Sequence, residues 1–467
     1  MKLRTIGKSI LGLLVFVVVA LVGFIWVSKD KLLVATNSVA HAMCTAAFVS
    51  HVDPSMVLRE EQLPSMQPIA WAIRYRVEPK MHEARATVLG AFGARAMYRE
   101  GLGCTLIHGR DESVRDQRLV DAPIVSPFPD AVHAPDTDAL RTALDLAFSE
   151  PDPAAPRHTK AVVILHDGKL VAERYADGYT PQTPIWAHSL TKSVMNAFAG
   201  ILVQDGKLKV EQAAGVPEWS GANDSRHAIT IDQLLRMTTG LPFDETDGPV
   251  SPMTRQFFLE RDMRAYAAGM PLTHPPGSTW AYSNLAYVLL ARSLMDAADV
   301  HDAPAAEQFL RDRLFRPLGM SHTLVEADEA GTLVGSSHTF GTARDFARFG
   351  QLYLDDGVID GQRILPEGWV AYSHSQTLDT GYGAGFWTNL RQEGNVPVWD
   401  TPWGMPQLPR DTYFARGALG QYVMIVPSEK LVVVRMGISV NASTDIANVV
   451  ARIIEAVHRD PATETSS

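Results

Sequence analysis

Two strand–turn–strand segments lie at opposite ends of the main part of this chain, and any fold it adopts must bring them together. The first, "AVVILHDGKLVAERY" at 161–175, has two apolar runs separated by Asp167-Gly168; the second, "QYVMIVPSEKLVVVRMGIS" at 421–439, breaks at Pro-Ser-Glu-Lys. Asp-Gly between apolar runs is a hairpin signal, because both residues tolerate the positive φ angles of the tight turn. The stretch between the two segments is rich in helical patterns, and "STDIANVVARIIEAVHR" closes the chain as a further helix. The expectation is an α/β fold with an antiparallel sheet built from both ends of the domain, flanking helices and a helical insert. Regular strand–helix–strand alternation is missing, which excludes a doubly wound sheet.

The rest of the chain divides around this unit. Lys2, Arg4 and Lys8 precede a run without charge from Ser9 through Ser28. As a helix rising about 1.5 Å per residue, residues 9–28 match the roughly 30 Å hydrocarbon layer of a bilayer. A cleaved signal peptide is the competing reading, but "AHA" at 40–42 lies well downstream of the apolar run. An N-terminal transmembrane helix is therefore expected at 1–30, with the bulk of the chain on the periplasmic, extracytoplasmic side. Residues 31–130 form a small α/β or β-rich region and a Pro-rich linker; 131–460 form the main domain and 461–467 a disordered tail. Cys44 and Cys104 both fall in the small region; in an exported chain an even count favours a disulfide over two buried thiols. A formal charge of −10 without a Lys/Arg-rich block excludes a nucleic-acid partner. Fifteen histidines occur without H-E-x-x-H or paired C-x-x-C, so no metal or other cofactor is implied.

The chemistry gathers at "IWAHSLTKSVMNAFAGILVQDGKL", where Ser189 and Lys192 stand three residues apart as an extended segment becomes a helix. Val194, Phe198 and Ile201 mark one helical face and Asp205-Gly206 a stop. A serine hydroxyl needs an adjacent base to become a nucleophile, and a lysine serves only when neutral, through burial or nearby positive charge. The spacing alone is weak: Ser28 and Lys31 repeat it at the end of the apolar run. The second element is Tyr282-Ser283-Asn284 in "PPGSTWAYSNLAYVLLARSLMDAA", at a turn before an amphipathic helix. A phenol near an ammonium can act as a general base, and an Asn can hold the lysine or a substrate amide.

Ser189-Leu190-Thr191-Lys192 followed by Tyr282-Ser283-Asn284 resembles the serine β-lactamase-like family, which includes class C β-lactamases, D-alanyl-D-alanine peptidases, esterases and 6-aminohexanoate-dimer hydrolases. "ITIDQLLRMTTGLPFDE", "LFRPLGMSHT" and "GTARDFARFGQLYLDDGVIDGQRILPEGWV" agree in order, over residues from about 135 to 460. The resemblance implies the β-lactamase-like fold, with Ser189 acylated, Lys192 and Tyr282 sharing the proton transfers, and Asn284 positioning Lys192 or the substrate. It leaves open which of Lys192 and Tyr282 is the base. Where the family carries Lys-Thr-Gly, this chain has Ala415-Arg416-Gly417. Gly417 still permits close approach of a substrate, and the Ala418 N–H joins that of Ser189 as the implied oxyanion hole. The Lys and Thr that grip a β-lactam carboxylate are missing, so Arg416 marks a departure. Tyr382 and Trp387, in "GYGAGFWTN", are either substrate contacts or aromatic core; Trp399 and Trp403, in "VWDTPWGMP", are either part of a pocket-side loop or without a role in the site.

The expected function is a serine hydrolase acting on a small ester or amide, nearest the 6-aminohexanoate-dimer hydrolases and esterases. The alternatives are a cell-wall D-alanyl peptidase or β-lactamase, and a non-catalytic binding protein of the cell envelope.

Overall fold

Asp167 and Gly168 take φ angles of 50° and 73°, and the strands Thr159–His166 and Lys169–Tyr175 fold back on each other across them. These strands come from a computed structural model that describes residues 28–458 apart from 110–112, 222, 247, 398, 400 and 441–442. Leu431–Gly437 lies beside Thr159–His166, so the two hairpins meet edge to edge, as their separation in the sequence demands. The sheet continues through Gln421–Val426 and Tyr413–Gly417 to the short strand Trp387–Thr388, and every pairing is antiparallel.

Every residue of Gln421–Val426 and Leu431–Gly437 is buried, so helices cover both faces of the sheet. The first helix of the main domain, Asp138–Ala147, packs on the last, Ile446–His458. The helix Ala343–Leu354 lies across the central strands. Two further helices, Thr191–Gln204 and Asn284–Ala298, pack against each other and are buried on nearly all sides, which explains their continuous apolar texture.

The first hundred residues of the description are integrated with this unit. Strands Ile73–Glu78, Glu83–Val88, Ala91–Arg99 and Gly103–Leu106 form a separate antiparallel meander. A disulfide joins Cys44 to Cys104 and ties the helix at 28–48 to that meander. The expected transmembrane helix needs correction: among the described residues no helix is long and apolar enough to cross a membrane. The run from 9 to 28 lies outside the described residues except for Ser28, as does the tail at 461–467. The helix at 28–48 is docked on protein. Val39, Ala40 and Met43 join the core, Thr36, Asn37 and His41 are buried beside them, and Asp30 pairs with Arg255.

Gly350, in the helix Ala343–Leu354, shows how closely helix and sheet approach. A Cβ there would stand 2.6 Å from Val432 Cγ1 and 2.8 Å from Val423 Cγ1. Gly→Ala within a helix ordinarily gains about 1 kcal/mol in propensity. Overpacking a closed core costs about 1–3 kcal/mol, which outweighs that gain. Gly350→Ala should therefore lower the unfolding free energy by urea titration, and an increase would disprove this packing account.

Candidate active site

The chain reaches Ser189 through a strained turn. His188, immediately before it, holds φ at 49°, a left-handed conformation that costs a non-glycine residue roughly 1–3 kcal/mol. Its surroundings hold it there. The His188 ring stacks on Trp186 at 4.1 Å, the Ala187 N–H donates to the Thr339 carbonyl at 2.8 Å, and the Thr191 hydroxyl donates to the His188 carbonyl at 2.6 Å. Residues His188–Leu190 form a single 3-10 turn that runs into the helix Thr191–Gln204. Ser189 thus sits at the mouth of a buried helix, half-buried itself, with Lys192 one turn further in and 2% exposed.

Lys192 Nζ donates to three acceptors: Ser189 Oγ at 3.0 Å, Asn284 Oδ1 at 2.8 Å and the Ser336 carbonyl at 2.7 Å. Two of these acceptors have no proton to give back. A lysine that loses one proton keeps its two remaining N–H groups on Asn284 and Ser336, and its lone pair is left facing the Ser189 hydroxyl. Burial pushes the lysine down to about pH 7, against the opposing pull of the Glu245 and Asp244 carboxylates. The neutral amine is therefore accessible at ordinary pH.

Asn284 can serve Lys192 only if its oxygen faces the amine. Its amide nitrogen donates to Asp244 Oδ1 at 3.1 Å and to Glu245 Oε1 at 2.9 Å, which fixes that orientation. Asp244 is held in turn by the Leu285 N–H at 2.8 Å, at the start of the helix Asn284–Ala298. Burial raises both carboxyls, Asp244 to about 7, and for Asp244 the neighbouring Glu245 charge adds to the effect. The four groups form one buried polar unit in which a proton on the lysine and a proton on the acid pair are closely balanced.

Tyr282 completes the cluster. It is 3% exposed, and the Lys192 ammonium lies 4.7 Å from its ring centroid, with the Ser189 hydroxyl close enough to act on the phenol's titration. Burial first, and the Glu245 charge second, hold the phenol well above its usual range, so it is a neutral proton carrier rather than a phenolate. Burial thus favours the uncharged form of both groups, the free amine of Lys192 and the protonated phenol of Tyr282.

The remaining candidates line the approach. Gly417 passes so close to the nucleophile turn that a Cβ would meet the Ala187 carbonyl oxygen at 2.1 Å. Ala418 follows, exposed at the end of its strand. Tyr382 and Trp387 are buried around Tyr282; Trp387 lies nearly parallel to the Tyr282 ring at 6.1 Å and edge-on to Tyr382 at 5.1 Å. Trp399 meets Tyr282 edge-on at 4.8 Å. Arg416 lies over Trp387, Trp399 and Tyr422 at 5.5–6.0 Å, with its charge felt by Glu245.

Asp244, Glu245 and Ser336 are the members that motif reading missed. Two consecutive acids after "TTGLPF" carried a usable signal, since adjacent carboxylates beside an apolar stretch need partners when buried. The Ser336 contribution is a backbone carbonyl and leaves no mark in the sequence.

The family profile described as Beta-lactamase matches residues 152–448. An uncharacterized protein of Mycobacterium tuberculosis is 27% identical over 269 residues, 46% of this chain and 66% of that protein. The 6-aminohexanoate-dimer hydrolase of Paenarthrobacter ureafaciens is 24% identical over 264 residues, 51% of this chain and again 66% of that protein. The chain thus spans just under two thirds of the length of each. A solved structure ascribed to a Bacillus anthracis 6-aminohexanoate-dimer hydrolase superposes with a TM-score of 0.57 at 23% identity, over 74% of this chain and 92% of that one, which establishes the fold.

Labelling of Ser189 by a fluorophosphonate should accelerate as pH rises through about 7, when Lys192 loses its proton. Glu245→Gln removes a charge that holds the proton on Lys192, so the rise should move to lower pH. A rise that stays in place or moves upward would detach the acid pair from the lysine.

Proposed function

The chain belongs to the beta-lactamase family and is a serine hydrolase, and from that premise we propose that it cleaves small neutral esters or amides through an acyl-Ser189 intermediate. The observation that carries this reading is the lone pair of neutral Lys192 facing the Ser189 hydroxyl, fixed by acceptors on its other sides. Ser189 Oγ attacks the substrate carbonyl while its proton passes to Lys192. The carbonyl oxygen becomes an oxyanion facing the N–H groups of Ser189 and Ala418. As the intermediate collapses, Tyr282, beside Lys192 and still protonated, gives its proton to the departing alcohol or amine and is resupplied from Lys192. Water then attacks the acyl-enzyme, Lys192 takes its proton, and the acid product leaves as Ser189 Oγ is reprotonated.

The preference for a neutral substrate rests on Arg416. Its guanidinium is folded against the rings of Trp387, Trp399 and Tyr422, and its charge also acts on the buried Glu245 carboxyl. The Lys-Thr pair that grips a carboxylate has no counterpart at Ala415-Arg416. Trp280, Tyr382, Trp387 and Trp399 give the approach an aromatic lining suited to an apolar acyl or alcohol group.

A panel of short-chain esters, linear amides, a D-Ala-D-Ala peptide and a chromogenic cephalosporin tests this. The neutral esters or amides should show the highest kcat/KM, and Ser189→Ala should lower it by about 10³-fold or more. A cephalosporin or D-Ala-D-Ala peptide that outpaces them would overturn the substrate class. Turnover that survives in Ser189→Ala would overturn the acyl-serine route.

A further inference from the structure

We propose that His41, Glu326 and His338 bind a divalent transition-metal ion, zinc by the nature of the donors, at a site separate from the nucleophile. His41 comes from the helix at 28–48, Glu326 follows the strand Leu324–Val325, and His338 precedes the strand Thr339–Gly341. Glu326 and His338 are cross-strand neighbours, joined by the Glu326 N–H donating to the His338 carbonyl at 2.9 Å, so their side chains emerge together. One ring nitrogen from each imidazole and one carboxylate oxygen lie within 4.8 Å of one another. Two imidazoles and a carboxylate form a zinc donor set, with bonds of about 2.0–2.2 Å. Without an ion His41 Nε2 and Glu326 Oε2 hydrogen-bond at 2.6 Å; donors about 2.1 Å from a tetrahedral ion stand roughly 3.4 Å apart, so binding would replace that bond.

Burial and unmet bonding both point to an ion. All three side chains are at most 3% exposed. Nδ1 of His41 and Nδ1 of His338 are each buried without a hydrogen-bond partner. Leaving such a group unpaired costs about 1–3 kcal/mol, and here the cost is met twice within one cluster. Trp186, Phe257 and Phe340 wall the cluster, so bulk water does not compete for the donors. A cavity of about 10 Å³, roughly the space of one water, lies beside both imidazoles and is also bordered by Asp328 and Glu329.

The position gives the ion a role in the fold. His41 lies outside the residues that match the family profile, whereas Glu326 and His338 lie within them. His338 is two residues after Ser336, whose carbonyl accepts from Lys192, and the intervening Ser337 carbonyl accepts from Trp186 Nε1 at 2.8 Å. An ion on these three donors would staple the N-terminal helix to the wall that holds the lysine.

The test uses the full-length chain, with zinc and cobalt(II) as the probes. Protein expressed with zinc should carry about one equivalent per chain by mass spectrometry. Stripping it with a chelator under non-reducing conditions should lower the melting temperature. Cobalt(II) added to stripped protein should give a visible d–d band of a low-coordinate site, absent in a His41→Ala/His338→Ala variant. Wild-type protein without zinc and without a cobalt band overturns the proposal, whether or not the variant folds; so does a band that persists in the variant.

Discussion

The Asn284 amide turns its oxygen toward Lys192 because its nitrogen is held by two carboxylates, and the chemistry of the site follows from that orientation. With the amide reversed, its NH2 group would face the ammonium and its one carbonyl oxygen would face the two acids. Both contacts would be repulsive in a setting where neither group can reach water. The acid pair therefore acts on Ser189 at two removes. It fixes the amide, the amide and the Ser336 carbonyl fix the amine, and the amine presents its lone pair to the hydroxyl. Asp244 and Glu245 also oppose the loss of the lysine proton, so burial and charge pull in opposite directions and leave the amine near neutrality.

This arrangement explains why the fold requires strain at His188 and glycine at 417. The Ser189 turn must enter the mouth of a buried helix while remaining within reach of an edge strand. A left-handed residue turns the chain sharply enough, and Trp186 stacking with the Thr339 ladder holds it. On the other side the strand Tyr413–Gly417 can come no closer, because its last residue already lies where a Cβ would strike the Ala187 carbonyl. Strain on one strand end and a missing side chain on the other are two halves of one fit.

The sequence made the frame legible wherever the signal was local. Asp167-Gly168 specified a hairpin through its positive φ angles, and Thr230 with Gln233 capped the helix Ile231–Leu235 as the pattern suggests. Ser189, Lys192, Tyr282 and Asn284 were readable because a resemblance linked two distant motifs, and the structure brings all four together. What escaped was non-local or carried by backbone: the Ser336 carbonyl, the reach of Asp244 and Glu245 to an amide some forty positions away, and the cross-strand placing of Glu326 beside His338. Hydropathy at 9–28 pointed to a bilayer, but burial of the polar Thr36, Asn37 and His41 shows the helix at 28–48 answering to protein partners.

That last point changes how residues 28–130 are to be regarded. Glu326 is fully buried, and its carboxylate is satisfied by His41 from the N-terminal helix and by the Cys104 N–H, at 2.6 Å each. Both partners precede the family-matched stretch, and the disulfide that joins their elements holds them in register. Remove them and a buried carboxylate loses its hydrogen bonds in the strand pair that carries His338 and leads to Ser336, a loss worth several kcal/mol for a charged group. A stretch with no catalytic motif of its own thus completes the polar shell behind the lysine. The hydrolase domain of this chain is finished only by what lies before it.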